Sequence, residues 1–186
     1  MNGPRLATVV YGNGESDAVD ALLGDVVREL RARGLRVAGA VQHNTGGHDG
    51  DCYDMLLEDA ASGRIIDISE KRGTCARGCR LDTFALEEMV GLVGASLDAA
   101  PDVVVLNRFG KREAEGHGFR PVIESALDRG IAVLVAVSES ILPQWDRFAA
   151  SLDERLAVDA AAITAWCERQ RSPRGTAAEA GRHAAG

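Results

Sequence analysis

At 186 residues the chain has the length of one α/β domain, enough to bury a core without disulfides or metal. Its formal charge of −7, from 21 Lys and Arg against 28 Asp and Glu, repels a nucleic-acid backbone, and no basic stripe offsets this. The opening segment Met1–Tyr11 has one Arg and an apolar run of about six residues, too short for a secretory or membrane-spanning segment. The expected protein is therefore cytoplasmic, with no membrane insertion and no nucleic-acid partner, and Cys52, Cys75, Cys79 and Cys167 are expected as reduced thiols.

Leu6 to Tyr11 reads as a short apolar strand that runs through Gly12-Asn13-Gly14 into a helix. From Asp17 to Arg33, Val19, Leu22, Leu23, Val26 and Leu30 recur at spacings of three and four, and Gly34 is placed to end the helix. Leu35 to Val41 reads as the second strand, giving a βαβ unit with a right-handed crossover and a parallel sheet. Cys52 to Asp59 and Arg64 to Ser69 flank Ala60-Ala61-Ser62-Gly63 and predict an inserted β-hairpin. A second amphipathic helix follows over Thr83 to Ala99, with Asp82 as its N-cap, then a strand over Asp102 to Leu106. Asn107 to Gly118 is a glycine-punctuated charged loop, Phe119 to Arg129 a short helix, and Ile131 to Val137 a fully apolar strand suited to the sheet centre. Ile141 to Ala150 and Asp159 to Gln170 read as helices around a short strand at Leu156 to Val158. Residues 1–170 make a single domain in this reading, and 171–186, rich in Ala, Gly and Arg without periodicity, a disordered tail.

Ligands of an open parallel sheet bind beyond the carboxyl ends of its strands. Those ends carry Gly12, Asn13, Gly14, Glu15, Ser16 and Asp17, then Gln42-His43, Asn107 to Lys111, and Ser138-Glu139. A glycine turn opening a helix is a phosphate cradle, because free amides and the helix dipole converge there. The full pattern G-x-x-x-x-G-K-[ST] is not met, since no lysine and no Lys-Ser or Lys-Thr pair is present. Glu15 and Asp17 are acids beside the cradle, and a unit charge about 4 Å from a phosphate costs on the order of 4 kcal/mol at an effective dielectric of 20. The helix dipole returns only about 0.3 to 2 kcal/mol. Either these carboxylates turn away, or Ser16 or Asp17 caps the helix and occupies the amides itself. The third core strand ends in Asn107-Arg108, where a phosphate-loop hydrolase carries acids for Mg²⁺ and water.

The stretches VVYGNGESD, GTCARGCRLD and NRFGKREAEGHGFRPVIESALDRGIAVLVAV give the chain its likeness to known proteins. It resembles a bacterial domain-of-unknown-function family found near molybdate-transport genes, itself distantly similar to thermophile-type nucleoside-triphosphatases. The resemblance covers Leu6 to Phe148 and is most specific over Asn107 to Arg120. It implies a three-layer α/β architecture, with a mostly parallel P-loop-NTPase-like sheet and an inserted β-hairpin. It leaves the cofactor unknown, with a nucleotide and Mg²⁺ as the candidate, and implies a link to molybdenum. The lysine, the hydroxyl beside it and the acidic pair at the strand end are read as lost.

Arg108, Lys111, Arg112 and Arg120 lie among Glu113, Glu115 and glycines 110, 116 and 118, the makeup of a mobile binding loop for an anion. The alternative is that these Arg and Glu pair with each other on the surface or across a homodimer. Cys75 and Cys79 beside Arg77 and Arg80, with Cys52, His43 and His48, are weak candidates for a soft-metal or redox site. Ser138 and Ser140 are read as residues at a helix start, Trp145 as packing, and Cys167 as core. The sequence thus predicts a binder of an anionic small molecule, nucleotide or oxyanion, through Gly12 to Asp17, Gln42 and Asn107 to Arg120, with little or no hydrolysis. The alternatives are a slow nucleoside-triphosphatase or phosphotransferase and a metal-handling or adaptor protein.

Overall fold

The computed structural model of the protein describes residues 5–45, 54–70 and 81–171. The expected tail beyond 171, and with it Cys52, His48, Cys75 and Cys79, lies outside the described residues. Strand β1 (Leu6–Tyr11) leads into helix α1 (Ser16–Ala32), then β2 (Val37–Thr45), β3 (Asp54–Asp59) and β4 (Ile65–Asp67). Helix α2 (Thr83–Ser96) closes in a 3-10 turn, followed by β5 (Val103–Leu106), α3 (Lys111–Ala114) and α4 (Arg120–Asp128). Strand β6 (Ala132–Ser138), α5 (Leu142–Ala149), β7 (Asp153–Leu156) and α6 (Ala160–Arg169) complete the order.

Among the described residues the strands form one sheet in the order β4-β3-β2-β5-β6-β1-β7. The pairs β2–β5, β5–β6, β6–β1 and β1–β7 are parallel, and the β3–β4 hairpin adds antiparallel to the free side of β2. The predicted hairpin is therefore present, at the sheet edge. Strand β6 is apolar on both faces because the sheet is covered on both. Val133, Val135 and Val137 enter the core under α2, α4 and α5. Ala132, Leu134 and Ala136 enter the core under α1 and α6.

Two local expectations are corrected. The short strand before α6 lies at Asp153–Leu156, not Leu156 to Val158. Its sequence DERL gave no apolar signal because β7 pairs only with β1 and is half-exposed. Polar groups seat it instead: Asp153 Oδ2 accepts from Thr8 Oγ1 at 2.6 Å and from Trp145 Nε1 at 3.0 Å. The charged loop after β5 holds a helical turn, α3, that its glycines had concealed.

Backbone proximity between β2 and β5 depends on Gly39. It has φ +124°, and a Cβ there would collide with the carbonyl oxygen of Val105 on the neighbouring strand. Gly39→Ala is expected to destabilise the fold by about 3 kcal/mol, combining left-handed strain with a backbone clash. Urea denaturation of the purified variant beside the wild type measures this.

Candidate functional site

The carboxyl ends of the parallel strands share one rim, since Tyr11 pairs with Ser138 and Leu106 with Ala40 and Val135. Beyond β1, Gly14 takes φ +83°, a left-handed turn that lets α1 begin at Ser16. The N-cap residue is Glu15, and its side chain makes no capping hydrogen bond to α1. Ser16 and Asp17 lie inside the first helical turn, so the expected caps are not caps. The Glu15 carboxylate bends back instead, and Gly12 N donates to its Oε2 at 2.6 Å.

Gly14-Glu15-Ser16 opens α1 with an acid and without a lysine. Glu139, just after β6, faces the same spot: a Cβ on Gly12 would meet Glu15 Oε2 at 3.1 Å and Glu139 Oε2 at 3.7 Å. Two carboxylates therefore converge at the crevice between β1 and β6 that a phosphate would enter.

The end of β5 reaches across to α1. Asn107 Nδ2 donates to Asp20 Oδ1 at 2.6 Å, and Arg108 Nη2 donates to Ser16 Oγ at 2.6 Å while lying 3.1 Å from Asp20 Oδ2. The glycine loop and Asn107-Arg108 are brought together in this way, through the first turns of α1. Asp20 is only 4% exposed, and burial raises its pKa against the lowering effect of the Arg108 guanidinium. Tyr11, hydrogen-bonded to Ser16, has its phenol raised chiefly by burial, with Arg108 opposing. Sequence reading missed Asp20, although an acid next to Val19 on the apolar stripe of α1 was the available signal.

The loop after β5 is tethered at both ends. The buried carboxylate of Glu113 accepts from Gly110 N at 2.9 Å and from Phe119 N at 3.0 Å, tying its two ends together. Gly118 has φ +58° and passes so close to Glu113 that any Cβ would overlap the carboxylate. The surface cations are paired, as the alternative reading held: Arg112 with Glu87 at 3.0 Å, Lys111 with Glu115 at 3.9 Å, and Arg120 with Glu124 at 3.0 Å. Lys111 is 85% exposed, so its pair adds little.

Gln42, Asn107, Arg108, Lys111 and Arg112 line one cavity of about 270 Å³, between β2, the hairpin, α2 and the loop. Gly12 to Asp17 do not line it. Arg120 stands apart: its guanidinium lies 4.9 Å from the Phe148 ring centre, and it lines a second hollow with Arg5, Leu6 and Leu152. The single anion site expected from Gly12 to Arg120 is therefore divided, with acids at the glycine loop and cations at the cavity.

The remaining candidates have structural settings. Cys167 is buried, and desolvation pushes its thiol up to about 12, an unreactive state. Ser138 and Ser140 bond to each other at 2.8 Å, and Asp82 caps α2 by accepting from Phe84 N and Ala85 N. His43 Nε2 lies 2.7 Å from Glu58 Oε2, and no group of three or more His, Cys, Asp or Glu able to hold a metal occurs among the described residues.

A parallel sheet in which β6 separates the glycine-loop strand β1 from β5, with helices on both faces, defines a P-loop-NTPase-like fold. Over residues 6–166 the chain belongs to the family described as "Protein of unknown function (DUF2478)". It is similar in structure to THEP1 from the hyperthermophile Aquifex aeolicus, with a TM-score of 0.59 over 83% of this chain and 89% of that one at 13% identity, a likeness of fold. It is 33% identical over 162 residues to the molybdenum import ATP-binding protein ModC 2 of Bradyrhizobium diazoefficiens. That match covers 87% of this chain and 18% of the relative, so the chain spans less than a fifth of the relative's length. The family and fold read from the sequence are thereby established. No helix among the described residues is long and apolar enough to cross a membrane.

Two outcomes follow from the buried acids. A raised folded-state pKa for Asp20 means that the folded chain holds its proton where the unfolded chain has released it. The penalty is absent below the ordinary value of 3.8 and grows as pH rises through the raised folded value. The melting temperature of wild type relative to Asp20→Asn should therefore fall from about pH 4 upward until Asp20 is ionised in the folded state. Glu113→Ala leaves Gly110 N and Phe119 N without their acceptor and should destabilise by about 2 to 4 kcal/mol, with amide exchange accelerated first at Phe119.

Proposed function

We propose that the protein binds a small anionic molecule, a nucleotide or an oxyanion, at the cavity lined by Gln42, Asn107, Arg108, Lys111 and Arg112, with little or no hydrolysis. The carrying observation is the inverted charge of the glycine loop, where Glu15 accepts the Gly12 amide that a phosphate would use. A triphosphate placed there meets Glu15 and Glu139 at a cost of about 4 kcal/mol for each close carboxylate. Arg108, Lys111 and Arg112 line the neighbouring cavity, where an anion would compete for them with their carboxylate partners Asp20, Glu115 and Glu87.

The name of the Bradyrhizobium relative adds ATP and molybdenum to the ligands worth testing. Hydrolysis is disfavoured because Asn107 and Arg108 replace the acids that hold Mg²⁺ and position water in this fold. A homodimer belongs to the same reading.

Isothermal titration with ATP, GTP, molybdate and tungstate should give binding for at least one of them, weakened about tenfold or more by Arg112→Ala and by Lys111→Ala. Phosphate release from ATP or GTP with Mg²⁺ should stay at background. No binding of any of the four removes the anion site, and brisk turnover removes the claim of lost hydrolysis.

A further inference from the structure

The second hollow, of about 580 Å³, lies between α4 and the turn that joins α5 to β7. Leu6 at the start of β1, Leu127 on α4 and Phe148 on α5 give it apolar walls. At its rim stands Leu152, 71% exposed. The turn that carries Leu152 is strained. Ala150 has φ +48° and Ser151 φ +64°, two consecutive left-handed residues with no glycine between them. Ala150 N donates to Asp146 O at 3.0 Å and Leu152 N to Ala149 O at 2.8 Å, which holds this geometry in place. A single chain thus carries two unfavourable features at one point, a strained backbone and an apolar side chain that the strain keeps in water.

The charges around the hollow decide what can cover it. Arg5 and Asp128 both line it, and neither has an ion-pair partner among the described residues; Arg5 reaches only the carbonyl oxygen of Gln170, at 3.4 Å. Arg120 and Glu124 add a cation and an acid already paired with each other at 3.0 Å. The patch is therefore neutral and holds one unused charge of each sign, whereas the whole chain carries −7 and its copies repel elsewhere. A ligand of one charge sign would leave either Arg5 or Asp128 unmatched. A knob beside a hole, and an unpaired cation beside an unpaired acid, make one surface complementary to itself. In a two-fold pair each residue meets its counterpart's neighbour twice over, so both charges and both knobs are used.

We infer that two copies of this chain pair about a two-fold axis at this hollow, with Leu152 of each copy entering the hollow of the other and Arg5 of each meeting the partner's Asp128. The hollow exceeds one leucine side chain and admits the Ala150-Ser151 turn behind it. This names the surface of the homodimer in the reading above and rests on that part of the reading alone. The anion cavity shares no lining residue with the hollow.

Sedimentation velocity of the full chain over about 1 to 100 μM should show a monomer–dimer equilibrium. Leu152→Asp, checked by thermal melting, should raise the dissociation constant about tenfold or more. Phe84→Asp, 82% exposed on α2, should leave it unchanged. Arg5→Glu and Asp128→Arg should each weaken the dimer alone, because each sets like charges face to face twice, and an equimolar mixture of the two should dimerise again. Recovery on mixing cannot come from a folding defect, so this arm stands if Leu152→Asp does not fold. A wild type that stays monomeric at every concentration would overturn both the homodimer and this surface, leaving the anion titrations untouched. A dimer weakened by Phe84→Asp and not by Leu152→Asp would overturn the surface and leave the homodimer. Charge variants that dimerise as well alone, or fail to recover on mixing, would do the same.

Discussion

The arrangement at the sheet rim depends on one buried carboxylate, Asp20. It sits on the second turn of α1 and is reached from the end of β5 by Asn107 and Arg108. An acid at 4% exposure persists ionised only with close donors, and here the donors come from a strand two positions away in the sheet. The contact ties the glycine-loop helix to the third core strand. It also fixes the direction in which the Asn107 amide and the Arg108 guanidinium point. Removing one partner would leave the other charge stranded, so the cluster behaves as a unit.

Around that anchor the electrostatics of the fold are reversed. A phosphate loop places a cation on the loop and acids at the facing strand end. Here Glu15 stands on the loop, accepting from Gly12 N, and Arg108 stands at the strand end, donating to the hydroxyl of Ser16. Local stability is served, because Glu15 satisfies the Gly12 amide and Arg108 neutralises Asp20. The crevice between β1 and β6 is left acidic, and the cationic surface moves to the cavity beyond β2 and β5.

The fold was legible because its signals are periodic. The stripe of Val19, Leu23 and Val26 marked α1, and the unbroken run from Ala132 to Val137 marked a strand covered on both faces. Strand β7 was misplaced because an edge strand held by Asp153, Thr8 and Trp145 needs no apolar alternation. The site was harder to read because its decisive facts are directions of side chains. The sequence displays Glu15 near a glycine turn but not that the carboxylate bends back to Gly12. It displays Glu113 in a charged loop but not that both oxygens are consumed by backbone amides. Likewise Arg120 and Arg112, eight positions apart, line different hollows because α4 begins at Arg120 and sets its guanidinium over Phe148.

The double tether made by Glu113 bears on how tightly the cavity would hold the proposed ligand. Segments that must be ordered by a ligand subtract that ordering from the affinity. The turn from Gly110 to Phe119 has already lost its freedom when the chain folds, since one carboxylate clamps both ends and Gly118 admits no other residue. A ligand bound at this rim would therefore have less ordering of the turn to offset.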